Sequence, residues 1–149
     1  MKIQEAKTLS DFMYVRDVRN RNRCAMTGNQ KFISVIRQTI FFITKPSSFK
    51  LYVCFLCPSN ARVGYLLLKR ENLDTYLTEV VDNEYRRLGI ASQMIQFAIE
   101  SIDLGGRAIV EIYNSNQASI KLHLSQGFVL DRVGPFTSIY VYNKCQVNS

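Results

Sequence analysis

Between residues 75 and 102 the hydrophobic period of the chain changes from two to 3.6 across one short polar turn. Residues 75–81, TYLTEVV, alternate as a strand, with Tyr76, Thr78 and Val80 on one face and Thr75, Leu77, Glu79 and Val81 on the other. From Gly89 onward, Ile90, Ala91, Met94, Ile95, Ala98 and Ile102 form an apolar helical stripe, which Gly105-Gly106 is expected to end. A strand that feeds an amphipathic helix in this way is a building block of α/β folds.

The rest of the chain supplies the partners. Residues 2–6 read as a short strand, and Ser10 precedes a run in which Leu9, Phe12, Met13 and Val15 recur at helical spacing. A second helix follows the Thr-Gly-Asn break at 27–29, with Ser34 as its N-cap. Residues 49–57 and 62–69 read as an antiparallel hairpin about Pro58-Ser59-Asn60, and residues 71–74 turn into the strand at 75–81. A strand at 108–113, a helix at 117–125 stopped by Gly127, and strands at 128–131 and 137–142 complete the chain. This order predicts a mixed α/β sheet with helices on both faces. A length of 149 residues suits one domain, 1–149, with a core large enough to need no metal or disulfide.

Composition narrows the function classes. The 19 Lys and Arg against 12 Asp and Glu give a net charge of +7, which suits nucleic acid, a polyanionic small molecule, or no charged partner at all. No zinc-finger spacing or aromatic ribonucleoprotein signature supports nucleic acid. Cys54 and Cys57 form a C-x-x-C at the end of an apolar run, without a second pair or nearby His to complete a metal site; free thiols are expected. The N-terminal MKIQEAKTLSDF lacks the apolar core of a signal peptide, and no apolar stretch approaches the ~20 residues that span a bilayer. The expectation is a cytoplasmic protein with neither a membrane nor a nucleic-acid partner.

The turn DNEYRRLGIA, residues 82–91, carries the chemistry. Arg86, Gly89 and Ala91 stand at R-x-x-G-x-A spacing where a strand meets a helix N-terminus. Free N–H groups and the helix dipole attract phosphate there, small residues allow close approach, and Arg86 and Arg87 add charge-assisted contacts. A glycine corner flanked by solvated arginines would give the same string. A second signal lies downstream in NQASIKLHLSQGF, residues 116–128.

Taken together the two segments resemble the GNAT superfamily of N-acetyltransferases. Residues 80–91 are similar to that family's coenzyme A pyrophosphate turn, and Asn116, Ser119, Leu122, His123, Gly127 and Phe128 fall at the spacing of its second region. The resemblance implies a GNAT-like, mostly antiparallel central sheet and acetyl-coenzyme A as co-substrate. It implies that the backbone of Val80 and Val81 runs beside the pantetheine arm at a strand bulge, one N–H polarising the thioester carbonyl. The amides of Arg87, Leu88, Gly89, Ile90 and Ala91 would hold the pyrophosphate, and Asn116 and Ser119 would stand by the coenzyme arm.

The implied mechanism is direct attack of an amine on the thioester. An alkylammonium has a pKa of ~10, so a base must first remove a proton. Glu79 and Glu111 are the candidates, each with the alternative of a solvated or ion-paired carboxylate. Where many family members carry a Tyr to protonate the leaving thiolate, this chain has His123. An imidazolium suits that task, but a packing role is the alternative, with Tyr113, Tyr140 and Tyr142 as other donors.

For the acceptor, Arg16, Arg19, Arg21 and Arg23 crowd into eight residues. On one continuous helix Arg19 and Arg23 would be neighbours at i,i+4 and would recruit an anionic group; a solvated charged face is the alternative. Arg19-Asn20, Met26-Thr27, Ile33-Ser34, Gln38 and Phe41-Phe42 are similar in spacing to members that acetylate amino-sugar nucleotides. The expected partner is a small, anionic amine. A protein or peptide amine, a non-catalytic coenzyme A-binding module, and a homodimeric assembly stay open.

Overall fold

The computed structural model describes residues 1–145. Seven strands form one sheet: β1 (Lys2–Glu5), β2 (Phe49–Leu56), β3 (Ala61–Glu71), β4 (Asp74–Val81), β5 (Arg107–Tyr113), β6 (Val129–Val133) and β7 (Thr137–Asn143). Their order is β1-β2-β3-β4-β5-β7-β6, and every pairing is antiparallel except the parallel β4–β5. Helices α1 (Leu9–Arg21) and α2 (Val35–Thr44) precede β2; α3 (Ile90–Glu100) and α4 (Gln117–Ser125) flank β5 in sequence.

The alternation of β3 shows why the sheet is covered on both sides. Tyr65 packs with Phe12, Val15 and Val18 of α1, whereas its neighbours Leu66 and Leu68 pack with Ile95 and Ala98 of α3. Phe12 is 1% exposed and meets Phe42 of α2 edge-on at 4.9 Å, so this one side chain joins two helices to the sheet. Burying a side chain of this size is worth about 2–3 kcal/mol.

Three boundaries differ from the sequence reading. The cap of α1 is Thr8, not Ser10: Thr8 Oγ1 accepts from the Asp11 amide at 3.1 Å while Asp11 Oδ2 accepts from the Thr8 amide at 3.1 Å. This is a capping box with Asp in the place of the usual Glu or Gln. Helix α3 ends at Glu100, not at the glycine pair, although Ile102 stays buried beyond it. The bulge expected at Val80 and Val81 is in the neighbouring strand. The β3–β4 register runs unbroken from Glu71↔Asp74 to Gly64↔Val81, and the shift falls between Cys54↔Gly64 and Phe55↔Arg62, which leaves Val63 as the extra residue. Val63 stays tied to this corner, its carbonyl accepting from the Asp82 amide at 2.9 Å.

The feature that positions a site is the β4–β5 seam. Only Asp74↔Arg107, Thr75↔Ala108 and Tyr76↔Ile109 pair. Beyond Tyr76 the two strands part, and the facing edges of residues 77–81 and 110–113 open into the protein.

Candidate active site

Two adjoining cavities occupy this opening. One, of about 760 Å³, is lined by Val80, Val81, Arg86, Arg87, Gly89, Ile90 and Ala91. The other, of about 560 Å³, runs under α1 and α2 and is lined by Val15, Arg19, Arg37, Phe41, Tyr65 and Glu111 among others. Both reach Glu79, Tyr113, Asn116 and Ser119, so β4, β5 and the start of α4 meet where the cavities join.

The first cavity ends at the turn into α3. Arg87 and Gly89 both adopt left-handed backbone, with φ of 64° and 73°. Glycine is at ease in that region, whereas Arg87 is held there by the turn. Such a turn leading into a helix collects amides into an anion-binding hollow. At Gly89 a built Cβ meets no heavy atom within 4 Å, so its outer side is open. Gly64 is the opposite case: a Cβ there would stand 2.4 Å from the Val80 carbonyl oxygen and 2.7 Å from Met94 Cε. Only a glycine in β3 lets Val80 and α3 take their places.

Most of the predicted coenzyme residues come together here. Val80, Val81, Arg86, Arg87, Gly89, Ile90, Ala91, Asn116 and Ser119 all line the cavity. Leu88 does not; it is 57% exposed, and an apolar side chain at that point of the turn leans to solvent. Arg86 is partly committed already, its Nη2 donating to Asn22 Oδ1 at 2.7 Å. Asn116 caps α4 by accepting from the Ser119 amide at 3.2 Å.

The catalytic candidates separate. Glu79 lies at the junction of the cavities with its side chain 11% exposed. Burial pushes its carboxyl above the usual carboxylate range; the His123 charge and its own backbone N–H oppose this. His123 has no exposed surface. Its Nδ1 lies 2.9 Å from the Ser119 carbonyl and its Nε2 lies 3.4 Å from Glu79 Oε1, the only polar partner near that buried nitrogen among the described residues. Nδ1 must donate to a carbonyl, which leaves Nε2 without a hydrogen bond until a proton stands between it and the carboxylate. A ring enclosed this way, with Phe128 edge-on at 5.1 Å, does not face the cleft as a direct acid would. Glu111 is exposed, lines the second cavity, and accepts from Thr137 Oγ1 at 2.6 Å. Tyr113 is the phenol at the junction: its hydroxyl donates to the Met26 carbonyl at 3.1 Å and accepts from Gln30 Nε2 at 2.7 Å. Tyr140 is buried in the core and Tyr142 packs against it.

The arginines do not form the expected stripe. Helix α1 stops at Arg21, Asn22 caps it, and Arg23 lies in a separate 3₁₀ turn, exposed and outside both cavities. Arg19 lines the second cavity, but its guanidinium donates to the carbonyls of Lys31, at 2.9 Å, and Asn29. Arg16 donates likewise to the Ile33 carbonyl at 3.0 Å, and Arg21 pairs with Asp82 at 2.7 Å. Arg16 and Arg19 brace the segment at 29–33 and Arg21 is ion-paired, so the three do not present a free anion site. Sequence reasoning missed Gly64, Tyr65 and Arg37. Of these, Arg37 alone carried a signal, a cation one turn into a capped helix.

The sequence profile of the Acetyltransferase (GNAT) family matches residues 17–128. The chain belongs to the GNAT acetyltransferase family. It is an acyltransferase with acetyl-coenzyme A as its co-substrate, and the open turn at the α3 N-terminus fits that molecule's pyrophosphate. Among solved structures, the GNAT fold recurs in a Vibrio cholerae spermidine N-acetyltransferase in complex with CoA and spermine. That protein is 13% identical, with a TM-score of 0.83 over 96% of this chain and 95% of the other. A Sinorhizobium meliloti phosphinothricin acetyltransferase in complex with AcCoA is 16% identical, with a TM-score of 0.80 over 97% and 88%. A Brucella melitensis ribosomal-protein-alanine N-acetyltransferase is 20% identical, with a TM-score of 0.75 over 98% and 100%. By sequence, the chain matches none of the curated proteins. No described helix is long and apolar enough to cross a membrane.

Proposed function

We propose that residues 1–149 form one GNAT domain that acetylates a small primary amine by direct attack in a ternary complex, with Glu79 as the general base and His123 as the residue that positions it. The observation that carries this reading is Glu79 at the junction of the two cavities, backed by a buried imidazole. Acetyl-coenzyme A supplies the activated acetyl group. The cavity at Arg87 and Gly89 holds its pyrophosphate, and the second cavity holds the amine.

A base works best when its pKa lies near the working pH. Burial moves Glu79 in that direction, and the amine stands beside it instead of in water. Once Glu79 takes the proton, His123 Nε2 stabilises the new charge state by sharing it. Nδ1, held by the Ser119 carbonyl, keeps the ring in one tautomer. Tyr113, which lines the same junction, is the donor for the departing thiolate once its hydroxyl turns from the Met26 carbonyl. Glu111, bound by Thr137, is the weaker candidate for the base.

For the acceptor, we favour an amine joined to an anionic group, of which an amino-sugar nucleotide is one example. Arg37 supports this: it lines the second cavity and makes no ion pair among the described residues. Arg19 stands beside it and adds positive potential. A polyamine such as the one in the Vibrio cholerae structure would meet these two cations. Release of free coenzyme A, followed with amino-sugar nucleotides, spermidine and lysine peptides, tests the reading. Turnover with an anionic amine and none with spermidine is the expected result. Preference for spermidine overturns the acceptor class, and no turnover with any amine leaves a coenzyme-binding module.

A further inference from the structure

Ten of the 19 Lys and Arg residues lie between Asp17 and Glu71, a stretch without a single Asp or Glu. Several are answered by acids elsewhere, as Arg21 is by Asp82 and Arg62 by Asp11. Lys31, Arg37, Lys45 and Lys50 make no ion pair among the described residues. Three of them gather around one helix: Lys31 precedes α2, Arg37 is in its first turn, and Lys45 follows its last residue, where its Nζ also donates to the Phe49 carbonyl; Lys50 pairs with Leu68 and lies with it on the α3 side of the sheet.

The same helix exposes apolar side chains that the fold does not use. Its inner face is satisfied: Gln38 Nε2 donates to the Phe12 carbonyl at 2.9 Å, and Phe41 and Phe42 pack on Phe12. On the outer face Ile36, Ile40 and Ile43 stand in file at i, i+4 and i+7, exposed at 74%, 55% and 74%. Phe32 and Val35, exposed at 57% and 53%, lengthen the file at its N-terminal end. A contiguous row of this kind marks a surface that meets a partner.

The charges select among partners. A second copy docked about a two-fold axis would bring this acid-free segment against itself, cation to cation, with no carboxylate to offset the repulsion. An anionic surface meets both features, taking the isoleucines into its apolar layer and the cations at its charged one. We propose that α2 docks this protein on anionic lipid bilayers, with Ile36, Ile40 and Ile43 entering the interface and Lys31 and Lys45 facing the headgroups. This departs from the expectation of no membrane partner, which rested on the lack of a spanning stretch; a helix lying on the surface needs none. Arg37 sits where the outer face turns toward the acceptor cavity, so docking brings the mouth of that cavity beside the bilayer.

The proposal does not depend on acetyl transfer, and its test reads binding alone. The full chain is floated with vesicles of equimolar phosphatidylglycerol and phosphatidylcholine, and with phosphatidylcholine alone, at low and high salt. Binding to the mixed vesicles only, weakened by salt, is expected. Ile36→Ser/Ile40→Ser/Ile43→Ser and, separately, Lys31→Glu/Lys45→Glu should each lower that binding at least about tenfold, with parental melting temperature and coenzyme A affinity. Equal binding to both vesicle types, no binding, or undiminished binding by both variants overturns the proposal. So does a parental dimer in sedimentation that the isoleucine variant dissociates, because the file is then covered by a second copy.

Discussion

His123 Nε2 faces Glu79 Oε1 at 3.4 Å, across 44 residues of sequence, while the other nitrogen of the ring is held by the Ser119 carbonyl. A hydrogen bond between the two therefore needs one proton, and the readiness of Glu79 to take it follows the balance between burial of the carboxyl and the charge on the imidazole.

The acid limb of the pH profile reads this pair. Glu79→Gln should lower kcat/KM by about 10²–10⁴, the usual worth of a positioned base. His123→Phe removes the charge that holds the Glu79 carboxyl down and leaves burial, which raises it. The base then stays protonated to higher pH, so the acid limb of kcat/KM moves up in pH. If His123 instead donated directly to the thiolate, the alkaline limb would change and the acid limb would stay.

Stability carries the opposite sign. Glu79 binds its proton more tightly folded than unfolded, so its contribution is fully present below the ordinary carboxylate pKa and is lost as pH rises through the elevated folded value. Glu79→Gln removes that loss. The variant should melt above the parent at neutral and alkaline pH, by roughly 2–4 °C per kcal/mol, and the difference should close in acid. Scanning calorimetry at several pH values checks it.

Two glycines separate occlusion from packing. Gly89→Glu costs about 1–2 kcal/mol of left-handed backbone strain but meets open space, so it should fold and bind coenzyme A at least about tenfold more weakly, as a like charge beside a pyrophosphate dictates. Gly89→Ala, measured alongside, isolates the strain. Gly64→Ala forces Val80 and Met94 aside and should cost about 1–3 kcal/mol in denaturant unfolding, with a higher KM for acetyl-coenzyme A.

The arginines sort by what they touch. Arg19→Ala frees the carbonyls of Lys31 and Asn29 and should raise KM for neutral and anionic amines both, about threefold to tenfold, with the larger rise for the anionic one. Arg37→Ala should raise it for anionic amines alone, and Arg23→Ala for none. Steady-state kinetics with an anionic and a neutral amine distinguishes the three.

The regular elements were legible because each repeats a local rule. Helix α4 begins at the residue after Asn116 and ends before Gly127 as read, and the face shared by Leu77 and Glu79 turns toward α3 and α4. The Thr8 cap was obscured because Asp11 replaces the residue that marks such boxes. The segment at 22–33 has no period, so nothing local told that Arg16 and Arg19 would brace its carbonyls. The turn at 86–91 is one continuous string, and all of it except Leu88 lines one cavity. Glu79 and His123 lie on separate elements, β4 and α4, so their approach was not legible in either segment alone.

The parting of β4 from β5 makes the sheet two plates joined at one end. The joint is three residue pairs long and is pinned by Arg107, whose Nε and Nη2 each donate to an Asp74 oxygen at 2.7 Å. Beyond the pin no strand-to-strand hydrogen bond links residues 77–81 to residues 110–113. The plates can therefore change their gape like the jaws of a clamp, and the sheet loses no bond when they do.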